Sequence, residues 1–103
     1  MVQVVVFVPG NAKEKLKKAM FEAGAGKLGN YDSCCFEQAG NGQFRPLSGS
    51  QPFLGTAGNL EIVAEVRIEM VCEEHLLEGV ISAMKASHPY ETPAYYAIKT
   101  LGI

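Results

Sequence analysis

"LEIVAEVRIEMV", residues 60–71, alternates without a slip. Leu60, Ile62, Ala64, Val66, Ile68 and Met70 share one face; Glu61, Val63, Glu65, Arg67, Glu69 and Val71 share the other. Successive side chains of a strand point to opposite sides of a sheet, so this pattern is a strand with one apolar, buried face and one mostly charged face. Strands usually run about five or six residues. One this long is expected to project beyond its own sheet, with an edge open to pairing with another chain.

Working outward, residues 73–87 carry Leu77, Val80, Ile81 and Met84 at helical spacing, with Glu73 and Glu74 at the positive end of the dipole. Gly79 weakens this helix by about 1 kcal/mol relative to alanine. Pro89 ends it by biasing His88 out of helical angles, and Ala94–Leu101 follows as a strand. On the other side, "VQVVVFV" (2–8) is β-branched and suits a central strand, which Pro9-Gly10 breaks. Asn11–Ala23 reads as a helix, with Asn11 and Glu14 in capping-box positions, an apolar stripe through Leu16 and Met20, and a stop at Gly24. Tyr31–Gln38 reads as a strand and "GNG" (40–42) as a hairpin returning along Gln43–Leu47, before a loop over 48–59. The order predicts a single α+β domain over 1–103: a ferredoxin-like βαββαβ antiparallel sheet with two helices on one face and an extra hairpin near residues 31–47.

Composition narrows the function classes. The chain has 103 residues, 48% hydrophobic and 19% charged, which matches an ordinary globular domain. A net charge of −2 argues against a nucleic-acid backbone as partner. There is no apolar run long enough for a membrane span, and the Val-rich start lacks a basic leader. Cys34, Cys35 and Cys72 are an odd number with no disulfide framework, so reduced thiols and a cytoplasmic location are expected.

The chemistry-bearing motifs are few. Phosphate-loop, dinucleotide and nucleophile-elbow signatures are absent. "GAGKLGN" (24–30) is either a helix cap with a loop or an anion cradle. Cys72 and His75 share a helical spacing but not a zinc motif, and Cys34 and Cys35 point to opposite faces of a strand. "HPYETPAYY" (88–96) is different, because Pro89 and Pro93 restrain a run rich in polar rings. His88 and Glu91 can converge on a cation or on each other, with Tyr90 and Tyr95 adding phenols; alternatively His88 caps the helix end and Glu91 faces water. A Cys35–His88 nucleophile and base has no supporting signature.

Three blocks together resemble one family: "AGAGKLGNYDSCCF" (23–36), "RPLSGSQPFLG" with "EIVAEVRIE" (45–69), and "HPYETPAYY". They look like the middle, inserted domain of the Nif-three-like proteins, the YqfO group also called GTP cyclohydrolase type 2-like, here as a stand-alone chain. The likeness spans essentially all of the sequence. "HPYETPA" also resembles "HPYEVPE" of the CutA divalent-cation tolerance proteins. The resemblance implies the PII/CutA-like version of the fold and a homotrimer built by strand pairing. It marks Gly29, Asn30, Tyr31, His88, Pro89, Tyr90 and Glu91 as motif positions. In full-length members the flanking domains build a dinuclear metal site, which two histidines here do not reproduce. The expectation is therefore a non-catalytic module binding a small ligand or a divalent metal ion. Gly29, Asn30, Tyr31, His88, Tyr90 and Glu91 would form its lip, within one subunit or between subunits, with His88 and Glu91 on the metal. The alternative implied by the family is a metal-dependent nucleotide or phosphoester hydrolase, or a subunit of one.

Overall fold

The structure, a computed structural model, describes residues 1–102. Four strands, β1 (Val2–Pro9), β2 (Phe36–Phe44), β3 (Glu61–Cys72) and β4 (Tyr95–Lys99), form one antiparallel sheet in the order β2-β3-β1-β4. Helices α1 (Lys13–Glu22) and α2 (Leu77–Ser87) pack against each other on one face. This is the expected α+β, ferredoxin-like arrangement, with both β-α-β halves in place.

The pleat decides what is buried. Val2, Val4, Val6 and Val8 of β1 share the core face with Val66, Ile68 and Met70 of β3, as their register requires. Leu16 and Met20 of α1 and Val80 and Met84 of α2 close over them. Each such fully buried side chain contributes about 1.5–3 kcal/mol, which is what holds the helices to the sheet. Glu37 adds an anchor between α1 and β2: Lys13 Nζ and Lys17 Nζ donate to its carboxylate at 2.7 and 3.1 Å. Those bonds hold the Glu37 carboxyl below the usual carboxylate range.

The long strand behaves as its length implies. Val66, Ile68 and Met70 are buried, but Leu60 and Ile62 are 59% and 64% exposed, because no helix covers that end. There β3 pairs only with β2, and the pair extends past the core.

Three expectations are corrected. Gly40–Gly42 is not a hairpin: β2 runs unbroken through it, paired to β3 from Phe36↔Glu69 to Phe44↔Glu61. A strong strand partner outweighs a local turn signal, since cross-strand pairing is the unit of sheet stability. The strand also starts at Phe36 rather than Tyr31, since Leu28 and Tyr31 close a tight turn on each other and Ser33 takes a positive φ of 56°. Asn11 makes no capping bond. Both helices start instead with a short 3-10 turn, Gly10–Ala12 and Glu74–Leu76, which ties up backbone donors without a side-chain cap.

The first helix stops as expected. Ala25 N–H donates to Met20 C=O at 3.1 Å and Gly24 N–H to Phe21 C=O at 3.0 Å, the paired bonds of a Schellman end, with Gly24 at φ 111°. "GAGKLGN" is therefore a cap and loop at the helix C-terminus, where the dipole repels anions. The second helix ends at His88, whose ψ of 135° is the extended conformation that Pro89 demands.

Candidate functional site

The "HPYE" turn sits where α2 hands over to β4, beside the Pro9 end of β1. His88 is 8% exposed, and both ring nitrogens are committed. Nε2 lies 2.7 Å from the carbonyl oxygen of Phe7, which can only accept, so Nε2 carries the proton. Nδ1 then accepts the Tyr90 backbone N–H at 3.1 Å. Burial, the largest influence, holds the imidazole below its ordinary pKa and keeps it neutral, as this pair of bonds requires. His88 thus fastens the turn to β1. Ligating a metal would cost it the Phe7 or the Tyr90 bond, and neither nitrogen is free to serve Cys35 as a base.

Tyr90 is turned into place by that clamp. Its hydroxyl donates to Glu65 Oε2 at 2.8 Å. Its ring lies against His88, Phe44 and Phe53, with centroid separations of 5.1, 5.8 and 6.3 Å and all three contacts tilted. Burial first, then the bond to Glu65, push the phenol well above its usual pKa, so Tyr90 stays a hydrogen-bond donor. Glu65 reaches it because residue 42 is glycine: a Cβ there would collide with the Glu65 carboxylate.

A cleft of about 500 Å³ opens above this floor. Phe7, Phe44 and Tyr90 line it from the sheet and the turn, and Leu47, Pro52 and Phe53 form a wall from the 45–54 segment. The 45–54 segment folds back to make that wall, held by the Gln51 N–H donating to Glu91 Oε2 at 3.0 Å. Glu65 and Glu91 bring two carboxylates to the lining and Arg45 one guanidinium. An apolar cavity of this size with a few convergent polar groups is the usual form of a small-molecule site.

The expected lip is thereby divided. Tyr90 and Glu91 line the cleft, and His88 supports them from behind. Gly29, Asn30 and Tyr31 are not in its lining. Their loop is joined to the sheet through Gly26 N–H on Val71 C=O, and Val71 is paired with Gln3 at the far end of β1 from Phe7. Within one chain the two motifs stand at opposite ends of the sheet. Among the described residues, no three His, Cys, Asp or Glu side chains are grouped to hold a metal ion. Cys72 is buried in the core, where desolvation raises its thiol pKa. Phe44, Phe53 and Glu65 were not legible as site residues from the sequence. The one hint is Phe53, an apolar ring in an otherwise Gly-, Ser- and Pro-rich loop.

Comparison with known proteins supports the family resemblance. No family model matches the chain. A protein of Halalkalibacterium halodurans named GTP cyclohydrolase 1 type 2 homolog is 45% identical over 93 residues, which is 90% of this chain and 25% of that protein. A Mycobacterium tuberculosis protein of the same name is 44% identical over 91 residues, 88% of this chain and 24% of that one. The chain spans about a quarter of the length of the curated relatives it matches. The crystal structure of a Bacillus cereus protein related to NIF3 superposes with a TM-score of 0.81 at 45% identity, covering 93% of this chain and 24% of that one. CutA1 from Pyrococcus horikoshii superposes with a TM-score of 0.72 over 100% of this chain and 86% of its own, at 20% identity, which speaks to the fold alone. The chain is homologous to that quarter of the NIF3-related proteins and has the CutA/PII-like fold.

Proposed function

We propose that this chain is a non-catalytic binding module that takes a small molecule into the cleft over Tyr90, and that it does so as a homotrimer. The observation that carries the reading is the cleft itself: about 500 Å³ of apolar space on a floor fixed by the Tyr90–Glu65 bond and walled by a loop tied to Glu91. Binding rather than proton transfer fits its groups. The Tyr90 phenol is pushed away from neutral pH, and both His88 nitrogens are engaged by backbone. Trimer formation is supported by the protruding end of β2–β3, where Leu60 and Ile62 expose apolar area and β2 is an edge strand.

The hydrolase reading draws on the name of relatives of which this stretch is about a quarter. Nucleotide or phosphoester turnover abolished by a chelator would favour it. The divalent-cation expectation rests with Glu91, whose carboxylate is exposed at the rim of the cleft.

The test is protein-observed NMR against small organic fragments, nucleotides and Mn²⁺. Shifts or paramagnetic broadening confined to amides of residues 44–54 and 90–92, and lost in Glu91→Ala, are expected. Perturbation elsewhere, or none, overturns the site. Light scattering should return three times the 11.1 kDa chain mass; one chain mass overturns the trimer.

A further inference from the structure

We propose that the cleft over Tyr90 selects a small organic cation, an ammonium group carried on an apolar or aromatic body. The proposal deepens the binding reading given above and rests on it. Three observations converge. The first is the ring cluster: Phe44 and Phe53 each meet Tyr90 at tilted angles of 59° and 51°, and all three rings line the same cavity. Aromatic faces carry negative charge density, and clusters of them are an established way to hold a quaternary ammonium. The second is the bond from Tyr90 Oη to Glu65 Oε2 at 2.8 Å. A phenol that donates to a carboxylate becomes more electron-rich, so its ring is the better partner for a cation.

The third is the charge around the cavity. Glu65 is half-buried beside Tyr90, and Glu91 and Arg45 are exposed at the rim. Two carboxylates against one exposed guanidinium give the lining a net negative charge. A phosphate or carboxylate ligand would meet the guanidinium at the rim but face Glu65 inside. An ammonium would meet rings and Glu65 inside and Glu91 at the entrance. Glu91 keeps one carboxylate oxygen on the Gln51 amide, so the same group that tethers the 45–54 wall also faces the entering charge.

Three probes sharing one ring test this: benzyltrimethylammonium chloride, benzyl alcohol and sodium phenylacetate, titrated into the intact chain at fixed ionic strength and read by amide shifts. Benzyltrimethylammonium is expected to bind about tenfold more tightly than benzyl alcohol, with phenylacetate weakest. Phe53→Ala and Glu91→Gln should each weaken the cation severalfold, and Glu91→Gln should narrow the ratio of cation to benzyl alcohol affinity. Equal affinity for the alcohol, or tighter phenylacetate, overturns the cation while leaving the cleft as a ligand site. Cation binding that neither variant alters places it elsewhere and overturns the proposal. Failure of all three probes, and of the wider fragment panel, to perturb residues 44–54 and 90–92 overturns both readings.

Discussion

Replacing Tyr90 by phenylalanine removes one oxygen and keeps the ring that packs on Phe44 and Phe53. The loss is therefore the 2.8 Å hydrogen bond to Glu65 and little else. A hydrogen bond to an ionised acceptor contributes about 1.5–3 kcal/mol. Tyr90 and Glu65 are both only half-buried, so water can solvate the orphaned carboxylate, and the expected cost falls to about 1 kcal/mol. For a domain of this size that is a fall of about 4–8 °C in the thermal midpoint. Glu65→Ala should cost a similar amount, because the hydroxyl loses its acceptor. The double variant should cost scarcely more than either single one, giving a coupling of about 1 kcal/mol in a double-mutant cycle. Urea denaturation of the four proteins measures it, at one protomer concentration because oligomer stability depends on concentration. A coupling below about 0.3 kcal/mol, the ordinary scatter of independent sites, would mean that the bond does not form in solution and that the cleft lacks its floor.

Other consequences can be checked with the same denaturation assays. Gly79 is exposed within α2, and a Cβ there meets nothing within 4 Å, so Gly79→Ala should stabilise by about 0.5–1 kcal/mol; a destabilised variant refutes this. Gly26 sits at φ 77°, where a Cβ would lie 2.7 Å from the Phe21 ring and 2.9 Å from the Cys34 carbonyl. Gly26→Ala should therefore lose at least about 1–2 kcal/mol from backbone strain alone, and an unchanged urea midpoint would contradict the crowding. Burial keeps the folded pKa of His88 below the ordinary 6.5. The unfolded chain takes up that proton first, so the His88 contribution is complete above about pH 6.5 and is lost as pH falls toward the folded value. Protonation also turns Nδ1 from acceptor to donor opposite the Tyr90 N–H. The urea midpoint should fall between about pH 7.5 and pH 5.5, and His88→Gln should flatten that slope; identical slopes in the two proteins sink the assignment.

What could be read from the sequence follows what is local. The alternation of residues 60–71 announced its own strand, its buried face and its overhang, because period and length are properties of one segment. Pro89 announced the end of α2 for the same reason. The "GNG" motif misled because its fate is decided by β3, more than twenty residues away, and a local turn preference is weak against nine registered pairs. Asn11 misled at smaller scale: the chain chose a 3-10 turn from Gly10 over a side-chain cap. For the site, proline restraint singled out the turn whose Tyr90 and Glu91 line the cleft. Its partners Phe44, Phe53 and Glu65 come from three other segments, and nothing in their own surroundings marks them as neighbours of Tyr90. The likeness to NIF3-related and CutA proteins supplied the fold, whereas the cleft emerges only from the packing of these separate segments.

The unequal pairing of β3 gives one strand two different lifetimes. Residues 70–72 pair with β1 and lie against the helices, whereas residues 61–64 pair only with β2 and have no layer above them. Opening the first stretch requires dismantling the core, while the second can peel away with the tip of β2 and leave the rest intact. Amide protons along this single strand should therefore exchange with solvent in two regimes, slow at the Cys72 end and fast at the Glu61 end. The same tip carries the start of the loop that walls the cleft, so an opening that lets deuterium in there would also move that wall.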